Sequence, residues 1–513
     1  MASVRSSFRR RARAIVRIVK RYGEMDRKLY LRGDGLDRHA AGGDFEKKSR
    51  ERDCASEISF GGYNDGVSGW KWEMSAQKQL WYSGNGPACQ AWRRARRLVK
   101  VLYPVPTARF SLGDYAPFVG YSAIDETRAA AAKLEGKRVL HISSTPYGGG
   151  VAELLISMVP LMKDVGLKVD WRVLERDEDF FVITKLLHNS LQGMKDLWVK
   201  PTADRFMEIS ERYFRGVEDG FDYVIVHDPQ PVAAAPLLRK QPAFRGTRWI
   251  WRCHLDLTDV DPGAWLFLKP MVSEYEAAIF TKASYAPRDL DMPTYVVPPS
   301  IDPLSAKNME LSSEVVHAVV AQFGLDNGKP TVVQVSRFDP WKDQPGVIDA
   351  IEIARRALPD LQLVLVGSMA EDDPEGFHYF QKTAERARGL DGVFLFTNIE
   401  GIGNIGVNAF QRAADVVVQK STREGFGLTV SEALWKEKPV IGGDVGGIPL
   451  QIIDGQNGFL VDSVPACAEK ILFLLDNPET REEMGRKGRQ WVREHFLTPR
   501  NLSDYLRVFS DLG

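Results

Sequence analysis

The chain carries no net charge, with 68 Lys and Arg against 68 Asp and Glu over 513 residues. Such a balance offers no overall field to hold nucleic acid or an anionic membrane surface. Cysteine is scarce. Cys54, Cys89, Cys253 and Cys467 are scattered without metal-ligand spacing, which argues against a disulfide framework and for reduced thiols in the cytoplasm. No apolar run reaches the roughly 18 residues of a membrane-spanning helix, so no integral membrane segment is expected. HExxH motifs, cysteine pairs and carboxylate clusters with metal spacing are also missing, and neither a metal nor another cofactor is expected.

What remains is an ordinary globular composition, 44% hydrophobic and 27% charged. The length exceeds what one core sustains and points to two domains with additions. Residues 1–110 stand apart. Arg5, Arg9, Arg10, Arg11, Arg13, Arg17, Lys20 and Arg21 follow one another without an acid, interleaved with Ile15, Val16, Ile18 and Val19. A basic membrane-surface helix or a targeting peptide has this pattern, but a solvated arm or an over-long reading frame explains it more simply. Residues 33–52 are charged and glycine-rich and read as loop or disorder. Trp70, Trp72, Trp81 and Trp92 fit a small packed appendage better than a sugar-stacking surface. The whole segment is expected to be an N-terminal extension, partly disordered.

From about Leu112 short apolar runs alternate with helical spacing. Strands are expected at 138–144, 169–174, 223–226, 249–253 and 295–297, with a helix at 151–165. Pro298-Pro299 opens a polar stretch read as the interdomain link, continuing to Lys329. A second series follows, with strands at 331–335, 363–366, 393–396, 415–419 and 439–441 and helices at 344–357 and 464–475. The rhythm predicts an α/β chain of two doubly wound, Rossmann-like domains, about 111–300 and 301–495, facing across a cleft. Helices at 481–494 and 501–509 complete the chain, and the last (about 496–513) is expected to pack back on the first domain.

The loops after these strands carry the chemistry. Glu424 and Glu432 stand eight positions apart, with Gly425, Phe426, Gly427 and Leu428 between them. A helix starting near Gly427 places Glu432 about 7–8 Å along its axis, and its unpaired N–H groups suit a phosphate. Arg337 and Lys342 follow the first strand of the second series, a guanidinium fork and a point charge that suit a diphosphate. Gly148, Gly149 and Gly150 let a backbone approach a phosphate or sugar closely. Glu153 replaces the third glycine of a dinucleotide fingerprint, although Asp170 stands where a ribose-binding acid would. His227-Asp228 and His254 also follow strands; a histidine there can donate to a sugar hydroxyl or a developing charge, although a lone histidine is more often structural.

Together these segments resemble the retaining GT-B glycosyltransferases with the E-x7-E motif. More narrowly, 145–153, 251–257, 298–303, 334–342 and 423–430 resemble the trehalose glycosyltransferring synthases, over roughly Leu112 to the C-terminus. Retaining trehalose phosphorylases share several of these motifs. The resemblance implies reversible formation of trehalose from a nucleoside-diphosphate glucose and glucose. It implies that Arg337 and Lys342 hold the donor diphosphate, Glu424 the sugar hydroxyls and Glu432 the ribose hydroxyls. Gly425, Phe426, Gly427 and Leu428 would offer N–H groups, His254 would lie near the anomeric carbon, and Gly148–Gly150 would close over it from the other domain. Front-face displacement would need no protein nucleophile, unlike the two working carboxylates of glycoside hydrolysis.

Residues 398–412 depart from the polar, histidine-containing stretch expected of the family near the base pocket. The choice of ADP, UDP or GDP therefore stays open. So does a homodimer. Trehalose phosphorylase, with phosphate in place of the nucleotide, is the alternative within the fold. A nicotinamide oxidoreductase leaves Arg337, Lys342 and the Glu424 turn unexplained, and a non-catalytic sugar-binding module leaves the cation pair without a purpose.

Overall fold

The computed structural model describes residues 102–147, 149–175, 177–215, 217, 219–367, 376–398 and 401–513. The basic arm, the 33–52 segment, the four tryptophans and Gly148 lie outside the described residues. Among the described residues no helix is long and apolar enough to cross a membrane.

The first sheet is built from β1 (Leu102–Pro104), β2 (Arg138–Ser143), β3 (Lys168–Leu174), β4 (Tyr223–His227), β5 (Arg248–Arg252), β6 (Ala277–Phe280) and β7 (Thr294–Val296). Its order is β1-β3-β2-β4-β5-β6-β7, parallel throughout except for β1, which pairs antiparallel with β3 through Leu102 opposite Leu174. The second comprises β8 (Thr331–Val335), β9 (Gln362–Gly367), β10 (Val393–Thr397), β11 (Val416–Gln419), β12 (Val440–Gly443) and β13 (Gly458–Val461), all parallel in the order β10-β9-β8-β11-β12-β13. Strands such as Thr331–Val335 are buried along their whole length, as a parallel sheet covered on both faces requires. Strand order reverses between β2 and β4 in one sheet and between β8 and β11 in the other, where such sheets leave a crevice beyond their carboxyl ends.

Three strands escaped the periodicity. β1 and β6 are only three and four residues long, and β13 begins on a glycine. The stretch read as a link contains the helix Ser313–Gln322, capped by the Ser312 side chain and burying Val316, Val319 and Val320 at helical spacing. Beyond the second sheet, helix Pro478–His495 is followed by Thr498–Leu512, which crosses to the first sheet. Tyr223 donates its hydroxyl to the Phe509 carbonyl at 3.0 Å, and the two rings stack 4.7 Å apart. At the crossing, Ile301 N–H meets Phe496 O at 2.8 Å, so the two passages between the sheets are tied together.

Candidate functional site

A cleft of about 680 Å³ is lined from both sheets by residues just beyond strand ends. Ser143 ends β2 with Ser144 and Thr145 after it, Asp228 follows β4 and His254 lies just past β5. From the second sheet come Arg337, Lys342, Glu424 and the start of helix Leu428–Trp435. Gly149 and Gly150 line it as well, at the start of helix Gly150–Asp164. A Cβ on Gly150 would lie 3.2 Å from Leu428 Cδ1, so the glycine loop and the Glu424 turn are near neighbours.

The turn after β11 is tightly held. Tyr285, beyond β6, donates to the carbonyls of Glu424 at 3.2 Å and Gly425 at 2.9 Å. A Cβ on Gly425 would stand 2.6 Å from the His254 carbonyl oxygen, closer than real contacts allow. Gly427 caps the helix with φ 81°, in the left-handed region. Lys342 donates to Glu424 Oε2 at 2.6 Å, and Ser421 Oγ reaches the same oxygen at 3.2 Å. Both partners are nearly enclosed, with side chains 13% and 10% exposed.

The loop after β8 is built to present these cations. Asp339 caps the short turn Pro340–Lys342 through Trp341 N–H at 2.9 Å, and its carboxylate lies 3.6 Å from the half-exposed Arg337 guanidinium. Asp343 follows with φ 49° and caps helix Gln344–Ala354 through Gly346 N–H at 3.2 Å. It also pairs with Lys420, joining the two loops behind the Lys342–Glu424 contact. Asp343 therefore has a structural task of its own.

Glu432 lies deeper, 2% exposed. Its Oε1 is 3.5 Å from Lys307 Nζ, while Oε2 has no hydrogen-bond partner among the described residues. Lys307 is also 2.6 Å from Glu153 Oε1, so one ammonium joins the glycine-loop helix to the helix that carries Glu432. Burial, the largest influence, raises the Glu432 carboxyl above its ordinary range, and Lys307 opposes it. For Lys307 burial works against the charge, yet Glu153 and Glu432 outweigh it and raise its pKa. One turn on, Lys436 is consumed by Asn308 Oδ1, Gln411 Oε1 and the Glu432 carbonyl at 2.8–3.0 Å.

His254 donates its main-chain N–H to Asp228 Oδ1 at 2.8 Å, and its ring bonds His227 at 3.2 Å. Burial lowers the His254 pKa well below the ordinary value, with Arg252 adding to it, so the ring is neutral.

Of the residues singled out in the sequence, Gly149, Gly150, His254, Arg337, Lys342, Gly425, Phe426, Gly427, Leu428, Glu424 and Glu432 all line this one cleft. Asp170 does not; it lies on β3, paired with Arg172 at 3.0 Å. Lys307 was missed. It comes from the stretch read as a link, and no local spacing ties it to Glu153 or Glu432.

Residues 141–287 match the model of the trehalose synthase N-terminal domain, and residues 318–491 match glycosyl transferases group 1. The chain is 46% identical over 409 residues to the trehalose synthase of Rubrobacter xylanophilus, covering 78% of this chain and 97% of that one. It is 27% identical over 440 residues to the trehalose phosphorylase of Pleurotus pulmonarius, covering 75% of this chain and 58% of that one. Sucrose-phosphate synthase from Thermosynechococcus elongatus shares the fold with a TM-score of 0.57 at 20% identity, over 73% of this chain and 99% of that one. The chain belongs to the trehalose synthase family, and it is a GT-B glycosyltransferase enzyme of trehalose-related glycosyl transfer.

Proposed function

We propose that the chain moves glucose, with retention, between a nucleoside diphosphate and a second glucose, making and breaking the α,α-1,1 bond of trehalose. The observation that carries this reading is the Lys342–Glu424 pair beside the orphaned Glu432 Oε2, opposite Gly149 and Gly150 in one cleft. A diphosphate has two cations to meet, Arg337 and Lys342. A ribose hydroxyl is the donor that Glu432 Oε2 lacks. In this reading Glu424, held by Lys342 and Ser421, accepts from donor-sugar hydroxyls, and the N–H groups from Gly425 to Leu428 donate to the phosphate and sugar.

In the synthetic direction the bond from the anomeric carbon to the donor phosphate oxygen breaks as the acceptor hydroxyl attacks from the same face. The hydroxyl proton passes to that phosphate oxygen. Negative charge grows on the leaving diphosphate, where Arg337 and Lys342 stabilise it more than in the ground state. Two fixed cations supply the compensation, so no metal or other cofactor enters the proposal. Glu424 and Glu432 act as clamps and not as an acid–base pair. The buried thiols Cys253 and Cys467 support a cytoplasmic setting.

Trehalose incubated separately with ADP, UDP, GDP and inorganic phosphate, with the products identified by NMR, tests the reading. A nucleoside-diphosphate glucose and glucose are expected with at least one nucleotide. Glucose 1-phosphate formed with phosphate alone would instead establish a phosphorylase.

A further inference from the structure

His254 is the outer member of a row of three imidazoles. Its Nε2 lies 3.2 Å from His227 Nδ1, and His227 Nε2 lies 3.0 Å from His141 Nδ1. The row ends where His141 Nε2 lies 3.4 Å from the Met162 sulfur. Neighbouring strands place it: His141 is on β2, His227 closes β4 and His254 lies just past β5. The rings meet edge to edge and nearly in plane, centroids 5.3 and 5.5 Å apart and planes inclined by only 27° and 16°, as in-plane N–H···N bonds require.

His141 and His227 are fully enclosed. Burial pulls the His141 ring down to about 3 and holds His227 and His254 well below the ordinary value, so all three are neutral near neutral pH. A neutral imidazole has one N–H and one bare nitrogen. A thioether sulfur has lone pairs and no hydrogen, so it only accepts. That single fact orients the row. His141 must carry its proton on Nε2, facing Met162, and its bare Nδ1 accepts from His227 Nε2–H. His227 Nδ1 is then bare and accepts from His254 Nε2–H. The opposite polarity would set a bare His141 nitrogen against a sulfur lone pair and forfeit one bond of a mutually polarising chain.

We propose that Met162, His141 and His227 are positioning residues that set the tautomer of His254, so that its Nδ1 meets the bound sugar as a hydrogen-bond acceptor. Nδ1 has no protein partner among the described residues, and His254 lines the cleft. Asp228 Oδ1 holds the ring's base through the His254 main-chain N–H, and the row holds its far edge. A sugar hydroxyl both donates and accepts. An acceptor-only contact therefore dictates which way its proton points and orients the donor sugar. The functional meaning rests on the reading of His254 as a donor-sugar contact; the tautomer does not.

The full-length protein labelled with 15N-histidine, examined by ring-nitrogen NMR at neutral pH without ligands, measures the tautomers directly. His141, His227 and His254 are each expected to be protonated on Nε2. Protonation of His254 on Nδ1 overturns the proposal. Met162→Leu keeps the side-chain volume and removes only the acceptor. In that variant His254 is expected to become a mixture of tautomers, with kcat for trehalose turnover falling roughly three- to tenfold at a little-changed donor KM. A mixture with unchanged kcat, or an unmixed tautomer, overturns it. Wild-type protein with the assigned tautomers but no nucleotide-dependent turnover would remove the donor-site reading and not the tautomer.

Discussion

Glu432, 2% exposed, keeps one carboxylate oxygen without a hydrogen-bond partner among the described residues, and Asp228 is a second carboxylate that burial acts on. Burial holds the Asp228 carboxyl up to about 6, against the pull of the His254 N–H and of Arg252. The folded state therefore binds this proton more tightly than the unfolded chain does. Its stabilising contribution is complete below about pH 4 and is lost as the pH rises through 6. Asp228→Asn keeps the acceptor oxygen, and asparagine tolerates the φ of 65° found there. Relative to wild type the variant is expected to gain roughly 2 kcal/mol between pH 4 and 7.5, read from urea midpoints at each pH. A difference that stays constant over that range contradicts the assignment. At this scale the sequence was uneven as a guide. Glu424, Glu432, Arg337 and Lys342 were legible because a glycine turn and a strand end mark their positions. Lys307 and the His141–His227 row were not, because their partners are distant in the chain and meet only through the fold.

Among the elements, the turn after β11 depends on the absence of a side chain at its closest approach. Gly425 is pressed against the His254 carbonyl, so at this point the two halves of the molecule meet backbone to backbone. Gly425→Ala must push one loop away, at a cost of about 1–3 kcal/mol by the usual measure of overpacking. A lower Tm is expected together with at least a tenfold loss of trehalose turnover, since the same shift displaces Glu424 and His254. Unchanged values for both would show that the approach is not tight. The glycines here were visible in the sequence as a turn; what they approach was not. Long parallel strands were also legible, as unbroken apolar runs. The short edge strands β1 and β13 and the helix Ser313–Gln322 were not, since three or four residues carry no period and the helix sits in a polar surround.

Across the whole molecule the chain passes twice between the sheets, and the last helix returns to cover the first one. Leu502, Tyr505, Leu506 and Phe509 are buried there, in a core with Tyr223, Ile225 and Ile250. Truncating Phe509 to Ala removes a fully enclosed ring and is expected to destabilise the fold by about 3–5 kcal/mol, measured by denaturant unfolding. A loss below about 1 kcal/mol would mean that the returning helix is only loosely docked. The βαβ rhythm and the return helix could be read from periodicity. The Glu153–Lys307–Glu432 bridge between the two sides of the cleft could not, because it is a property of their meeting.

That meeting is also where the proposed nucleotide sugar would sit, with Glu432 as the proposed ribose clamp. The kinetics of Glu432→Ala at saturating acceptor test this most directly. Donor KM is expected to rise roughly tenfold with kcat within about threefold, because a binding contact is lost and the leaving-group chemistry is left to Arg337 and Lys342. An unchanged donor KM would contradict the assignment.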